Sequence, residues 1–511
     1  MNVLRAMLIG LLTTLSLQVW ALECSSHDIS LHTQMDVDTF QVTYGGSGTC
    51  DTVTGSLLLQ GNDITNVEGL ADLVKVGGSL AVDDNAVLIN ISGLSNLASI
   101  GGNLSIQFND MLTNIDGLAN ITRLEGEFNL ENNAALTGLD GLAGLVSVEG
   151  ILTITSNDSL TNIDGLSNLT SLGSSLKINH NALLGDLDGL ISLSSVGMHL
   201  MIEYNDALTN INGLANLTNL GYSLFIISNG TLTGLDGLTG LSTVNEYLII
   251  SHNNALTSID GLANISGVGS ILHIGDNPVL TNINGLANVT SIGGDADNEG
   301  LYIENNAVLN HIDGLANLIS VGGGVNIRFN PGLANIDGLI KLESVGKALA
   351  IDSNAVLNDV NGLANLVDVG THVSVCNNSV LTNIEGLSSL ASVGEGINIS
   401  NNPSLTGIAG FLNLGSLGGD LIISGNDALV NIDGLAKLTN IEGDLKIEGN
   451  GVLTNLDGLM SLVGVGEFLY IRWSDALTNI DGFASLNTVG ESLHIRWNDA
   501  LVNLDGLTSL S

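Results

Sequence analysis

The sequence predicts a mainly β chain folded as one long right-handed parallel β-solenoid, about nineteen coils of 24 residues each. Three observations predict it: a strict 24-residue repeat, apolar residues spaced as short strands and turns, and a composition that suits no ordinary globule. Of the 511 residues, 65 are glycine and three are proline, and aromatics make up 3%. A globular core normally draws on Phe, Tyr and Trp for buried area. This one has to be built from Leu, Ile and Val.

The repeat is read most easily from the glycine of each "DGL" triplet. Ten anchors run from Gly69 to Gly285, and nine more from Gly314 to Gly506. Every step is 24 residues except Gly285 to Gly314, which is 29. Such a register means that each unit meets the same surroundings, the mark of stacked repeats. In the unit anchored at Gly117, Leu104-Ser105-Ile106 alternates apolar and polar as a strand with one buried face does. Leu112, Ile115, Leu118, Ile121 and Leu124 follow at every third residue, interrupted by turn formers. A single coil cannot bury its apolar side alone. Stacked copies about 4.8 Å apart place like over like, and eighteen steps give a rod on the order of 90 Å long.

Two further columns carry the framework. The invariant anchor Gly implies either a positive φ or a close approach of backbone. Eight residues before it stands an Asn, from Asn85 to Asn498, broken only at Ser474. Asn amides turned inward can bond the backbone of neighbouring coils and satisfy turn groups that water does not reach.

The ends divide the chain into three parts. Residues 1–21 read as an export signal: Arg5, an apolar run from Ala6 to Trp20, and Val19-Trp20-Ala21 as cleavage site. Residues 22–56 form an N-terminal cap, in which an oxidising compartment would join Cys24 to Cys50. Cys376 is left as an odd thiol. Residues 57–511 are the solenoid, with an insertion at 295–300 and no polar capping unit after Gly506, which predicts further downstream sequence or end-to-end self-association.

The repeat "LTNIDGLANLTSLGGSL" resembles the receptor L-domain, the leucine-rich β-helical module of growth-factor-type receptors, and is similar to leucine-rich repeats generally. The segment Thr49-Cys50-Asp51-Thr52-Val53-Thr54-Gly55-Ser56-Leu57 resembles the entry to the first strand of such domains, with Cys50 at their capping cysteine. The resemblance covers nearly the whole chain from Cys24 onward and implies extracellular recognition. Cysteine-rich modules, a membrane span and a kinase, which the receptors carry, are missing.

Charge and motifs narrow the function classes. With 52 acids against 11 bases, a net charge of −41 repels phosphate backbones and anionic lipid surfaces. No nucleic acid partner and no membrane insertion are expected. Metal-spaced histidines, phosphate loops and nucleophile elbows are all missing from the sequence. Glycoside cleavage needs two carboxylates a few ångströms apart. Of the outward acids, Asp276 and Glu304 fall on adjacent coils, flanking the insertion; most of the others stand two or more coils apart. No cofactor is expected, with one calcium candidate: Asp295-Ala296-Asp297-Asn298-Glu299-Gly300 offers oxygens from Asp295, Asp297 and Glu299, followed by a turn glycine. The Asp before each anchor Gly reads as turn chemistry.

With the framework fixed, binding belongs to the outward positions that vary. The predicted patch is Tyr470, Arg472, Trp473, His494, Arg496 and Trp497. Of the three tryptophans, Trp20 lies in the signal, so the other two share this column. Indole faces stack on sugar rings or accept cations, and Arg beside Trp suits acidic groups. The chain therefore reads as a secreted or cell-surface, non-catalytic recognition or adhesion protein for a protein or glycan. A structural rod without specific ligand, and a carbohydrate-active enzyme, are the rival readings.

Overall fold

The computed structural model describes residues 23–25, 27–46, 48–294 and 299–511. The export signal and the calcium candidates Asp295 and Asp297 lie outside the described residues.

Each coil has three sides. A four-residue strand such as Leu104–Gln107 is followed by a 3-10 turn, Asp116–Leu118, and a two-residue strand, Arg123–Leu124. The longer strands stack in parallel, in register, from Ile29–Leu31 to Leu493–Arg496, forming one sheet of twenty. Both terminal strands pair on one side only, so the sheet is an open ladder. Nineteen 3-10 turns, Glu68–Leu70 to Asp505–Leu507, line the second side among the described residues. Two-residue strands, with the three-residue Glu23–Ser25 at their head, line the third, in runs of four, five, six and four.

The sequence pattern and the core coincide residue by residue. Leu104, Ile106, Leu112, Ile115, Leu118, Ile121 and Leu124 are all buried, as are their equivalents in coil after coil. Burying such a side chain is worth about 1.5–3 kcal/mol, so seven per coil hold each turn of the rod to its neighbours. The core has few aromatic members; Phe128, Phe411 and Phe483 simply take Leu or Ile places in the ladders.

The anchor glycine owes its place to close approach. A Cβ on Gly117 would stand 1.9 Å from the Ile91 carbonyl oxygen, and one on Gly314 would meet the Ile283 oxygen at the same distance. Neither glycine has a positive φ; both sit inside 3-10 turns. Coils can stack at strand spacing on this side only where the side chain is missing.

The Asn column is fully buried from Asn85 to Asn450, and there it is bonded in series. Asn109 Nδ2 donates to Val82 O at 2.7 Å in the preceding coil and to Gln107 O at 3.0 Å in its own. It also donates to Asn133 Oδ1 at 3.1 Å in the next coil, and the same oxygen accepts the Asn109 backbone N–H. Each amide at an unbroken step of the ladder thus joins three coils.

At the N-terminus the parallel stacking begins earlier than residue 57. Strand Ile29–Leu31, within the N-terminal segment 22–56, pairs in parallel with Leu57–Leu59. Two short helices, Gln34–Asp38 and Phe40–Tyr44, follow it and bury Val37 and Phe40 against the first coil. Thr33 caps the first helix by accepting from Asp36 N, while the Asp36 carboxylate accepts from the Thr33 and His32 N–H groups. Cys24 and Cys50 are disulfide-bonded, with Cα atoms 4.9 Å apart. Cys376 is a free, buried thiol, and burial pushes its pKa up. The insertion falls between Ser291–Ile292 and Leu301–Glu304 without disturbing the ladder: Leu272 still pairs with Leu301. No helix of the described residues is long and apolar enough to cross a membrane.

Candidate binding surface

The six predicted patch residues come together, but on two surfaces. Tyr470 and Arg472 lie on strand Leu469–Arg472, which pairs in register with Leu493–Arg496: Tyr470 stands opposite His494, and Arg472 opposite Arg496. Trp473 and Trp497 lie one residue beyond the strands, with φ of 54° and 56°. That left-handed turn swings both indoles off the strand face to the edge of the sheet. Their ring centroids are 5.0 Å apart and their planes differ by 6°. They remain 48% and 54% exposed, which leaves a double-width apolar slab facing solvent.

On the strand face the aromatic rings continue as a pile. Phe468 stacks on Tyr470 at 5.6 Å, and Tyr470 on His494 at 5.0 Å. Arg472 lies with its guanidinium carbon 4.3 Å from the Tyr470 ring centre and 5.4 Å from that of Trp473. One of its nitrogens is 2.7 Å from Glu448 Oε1. Arg472 is therefore half-buried, paired with Glu448 and stacked on two rings. Arg496 is the exposed one; it approaches His494 Nδ1 at 3.3 Å. One coil back, Lys446 pairs with Asp444 at 2.7 Å. Burial alone would raise the Asp444 carboxyl, but hydrogen bonds from Lys446 and the Phe468 N–H hold it below the ordinary range.

The left-handed turn is not confined to the tryptophans. The residue after each long strand takes φ near 55° in coil after coil, from Asp84 to Trp497. Asn, Asp, His, Ser and Gly fill most of the column, as a left-handed position requires. Phe108, Tyr204, Phe329, Trp473 and Trp497 do not suit it, and all five are exposed. Sequence reasoning missed this column. Its signal was the run of Asx, His, Ser and Gly directly ahead of the Asn ladder, which looks like ordinary turn chemistry until the bulky exceptions are set beside it.

The outward acids near the insertion are not a free pair. Glu304 lies in register with Gly275, one position short of Asp276. Its carboxylate bridges His273 Nε2 at 3.1 Å and Arg328 Nε at 2.6 Å, while Asp276 approaches His252 Nε2 at 3.7 Å. Burial holds the His273 imidazole below its ordinary range, against the pull of Glu304. Among the described residues no group of three or more His, Cys, Asp or Glu side chains is placed to hold a metal ion. Glu299, the described member of the calcium candidate, lies where the chain re-enters the ladder. Where an Asp precedes the anchor glycine it opens the 3-10 turn, and its N–H commonly donates to an Asn two residues back, as from Asp457 to Asn455 Oδ1 at 3.1 Å.

No family model matches the chain, and no curated protein matches it. Among solved structures it is similar to a leucine-rich-repeat protein of Leptospira interrogans, at 16% identity and a TM-score of 0.26, over 81% of this chain and 87% of that one.

Proposed function

We propose that the chain is an exported, non-catalytic recognition protein that binds an extracellular protein or glycan at its C-terminal coils. The single observation that carries this reading is the exposed, coplanar Trp473–Trp497 pair held in a left-handed turn. A bulky residue in that conformation costs on the order of 1–2 kcal/mol, and leaving an indole half in water forgoes burial, so neither choice serves the fold. Stacked indoles offer a flat platform to a sugar ring or to a partner's apolar or cationic group. Arg472 lies against Trp473 from the strand side, and Arg496 supplies the accessible charge. Extracellular placement rests on the N-terminal signal and the Cys24–Cys50 bridge, and the receptor L-domain resemblance agrees with it.

The test is a glycan array and an extracellular-protein display probed with the purified chain, together with a reducing-sugar assay. Binding that falls at least tenfold in Trp473→Ala/Trp497→Ala, with no sugar released, is expected. Undiminished binding in a folded double variant refutes the patch. Release of reducing sugar refutes the non-catalytic reading, and no ligand on either display favours a structural rod.

A further inference from the structure

A second surface, some eleven coils from the tryptophans, carries a more specific chemistry. Along the sheet edge two columns run side by side: the left-handed residues, and the residues two positions further on. In the second column Ala86, Asp110, Ala134, Asp158, Ala182 and Asp206 alternate coil by coil. The alanines leave a groove of about 570 Å³, lined by Asp110, Asp158 and Asp206 together with Asn132, His180 and Tyr204. That volume falls within the usual range of ligand sites, roughly 300–1,000 Å³.

Three properties of the groove point to one kind of occupant. All three carboxylates are exposed, and none has an ion-pair partner among the described residues. Neither column contains a Lys or Arg anywhere from Asp84 to Asp499. Tyr204 stacks on His180 at 4.5 Å and 16°, yet keeps an exposed face and a φ of 55°, a strain the fold does not need. An aromatic face beside a carboxylate is a seat for a cation. The carboxylates repeat every two coils, about 9.6 Å apart from the spacing of strands. Three residues of a polyproline II chain advance about 9.3 Å.

We propose that this groove is a docking site for an extended basic peptide segment of a partner protein, with cationic side chains at every third residue. Each cation meets one of Asp110, Asp158 and Asp206, and the last also lies over the Tyr204 ring. The alanines between the aspartates give room for the intervening residues. Charge draws basic ligands to the whole rod, so spacing, rather than charge, is what this site recognises.

The experiment uses the full chain and a synthetic peptide of three Lys-Pro-Pro triplets, with a control of equal composition whose three lysines are adjacent. Affinities are measured by calorimetry at 150 mM salt. The spaced peptide should bind at least tenfold tighter than the clustered one. Asp110→Asn/Asp158→Asn/Asp206→Asn should erase that preference, while Asp236→Asn/Asp260→Asn/Asp313→Asn, which removes equal charge from exposed turns, should keep it. Tyr204→Gly should weaken the spaced peptide at least threefold without lowering the melting temperature, because glycine suits the left-handed turn. Equal affinity for both peptides, equal loss in both triple variants, or unchanged binding in Tyr204→Gly each overturns the proposal. So does a chitosan oligosaccharide that binds the groove where the spaced peptide does not.

Discussion

Replacing Ser474 by Asn should stabilise the C-terminal coils, because Ser474 is the one gap in the buried amide ladder. At an intact step, Asn426 Nδ2 donates to Ile399 O at 2.9 Å and to Asn450 Oδ1 at 3.3 Å, and the Asn426 N–H donates to the same oxygen at 3.2 Å. At the gap, Asn450 still reaches back to Ile423 O and Glu448 O, but nothing accepts from it in the next coil. The Ser474 hydroxyl is buried and without a hydrogen-bond partner. The backbone is nonetheless in register, since the Ser474 N–H donates to Asn498 Oδ1 at 3.0 Å, as an Asn there would. An Asn would add acceptance from Asn450 N and Nδ2, and donation to Ile447 O.

Three added bonds at about 0.5–1.5 kcal/mol each, less the cost of ordering the side chain, leave a gain of about 2 kcal/mol. Stability in a stacked array is local, so the assay is hydrogen exchange of the strands Leu445–Glu448 and Leu469–Arg472 rather than global melting. A gain of that size slows exchange there by about 30-fold. The opposite control is Asn205→Ala, which removes bonds to Ile178 O, Glu203 O and Asn229 Oδ1 and strands two donors of Asn181. That loss should cost at least about 3 kcal/mol in the coils around it. Unchanged or faster exchange in Ser474→Asn would refute the account of the ladder as the rod's polar spine.

Other outcomes follow from the same geometry. Gly117→Ala should open the coils on either side of it, costing more than about 4 kcal/mol by local exchange, since its Cβ would lie 1.9 Å from the Ile91 oxygen. Reduction of Cys24–Cys50, which closes 26 residues, should cost about 3.5 kcal/mol at the N-terminus, read as a lower urea midpoint there. Acidification should stabilise the rod. Burial chiefly raises the Asp83 and Glu203 carboxyls, and burial with neighbouring acids raises Asp188 and Asp337. A raised carboxyl disfavours the fold above its folded pKa, and that penalty lifts as pH falls through it toward the unfolded value. His273, depressed by burial, opposes this below the ordinary imidazole range, and Asp36 and Asp444, held low, do so only below the ordinary carboxylate range. The melting temperature should rise as pH falls through the range just above the ordinary carboxylate values; a fall there would show that the His273 cluster outweighs the acids. A chelator should leave melting unchanged, and a marked drop would promote Asp295, Asp297 and Glu299 to calcium ligands.

What the sequence makes legible here is whatever repeats. The apolar ladders, the Asn column and the anchor glycine recur at one period, so one unit explains nineteen. The anchor also shows where pattern stops short: positive φ and close approach leave the same invariant Gly, and only the Ile91 carbonyl beside Gly117 tells them apart. Patch residues were legible as a column but not as a surface. Adjacent letters place Arg472 and Trp473 together, yet the left-handed turn sends Trp473 to the edge while Arg472 folds back on Tyr470 and Glu448. Side-chain pairing between coils depends on rotamers that a period does not encode.

The left-handed column changes how variation along the rod is to be weighed. On the strand face a substitution is cheap, since any residue can stand outward from a strand, and drift accounts for most of what is seen there. At the left-handed position it is not cheap: Asn, Asp or Gly fits, and a bulky ring carries a conformational cost with no core contact to offset it. Phe108, Tyr204, Trp473 and Trp497 are each followed two residues later by an aspartate; Phe329, followed by Pro331, is not. If the rings were drift, replacing each by Gly would only stabilise the fold. If they are contacts, Phe329→Gly should stabilise without loss of binding, whereas Tyr204→Gly and Trp497→Gly should stabilise and bind less. Melting and affinity measured on the same three variants separate the two: a uniform gain in stability with no change in affinity for any ligand would reduce the whole edge to turn chemistry.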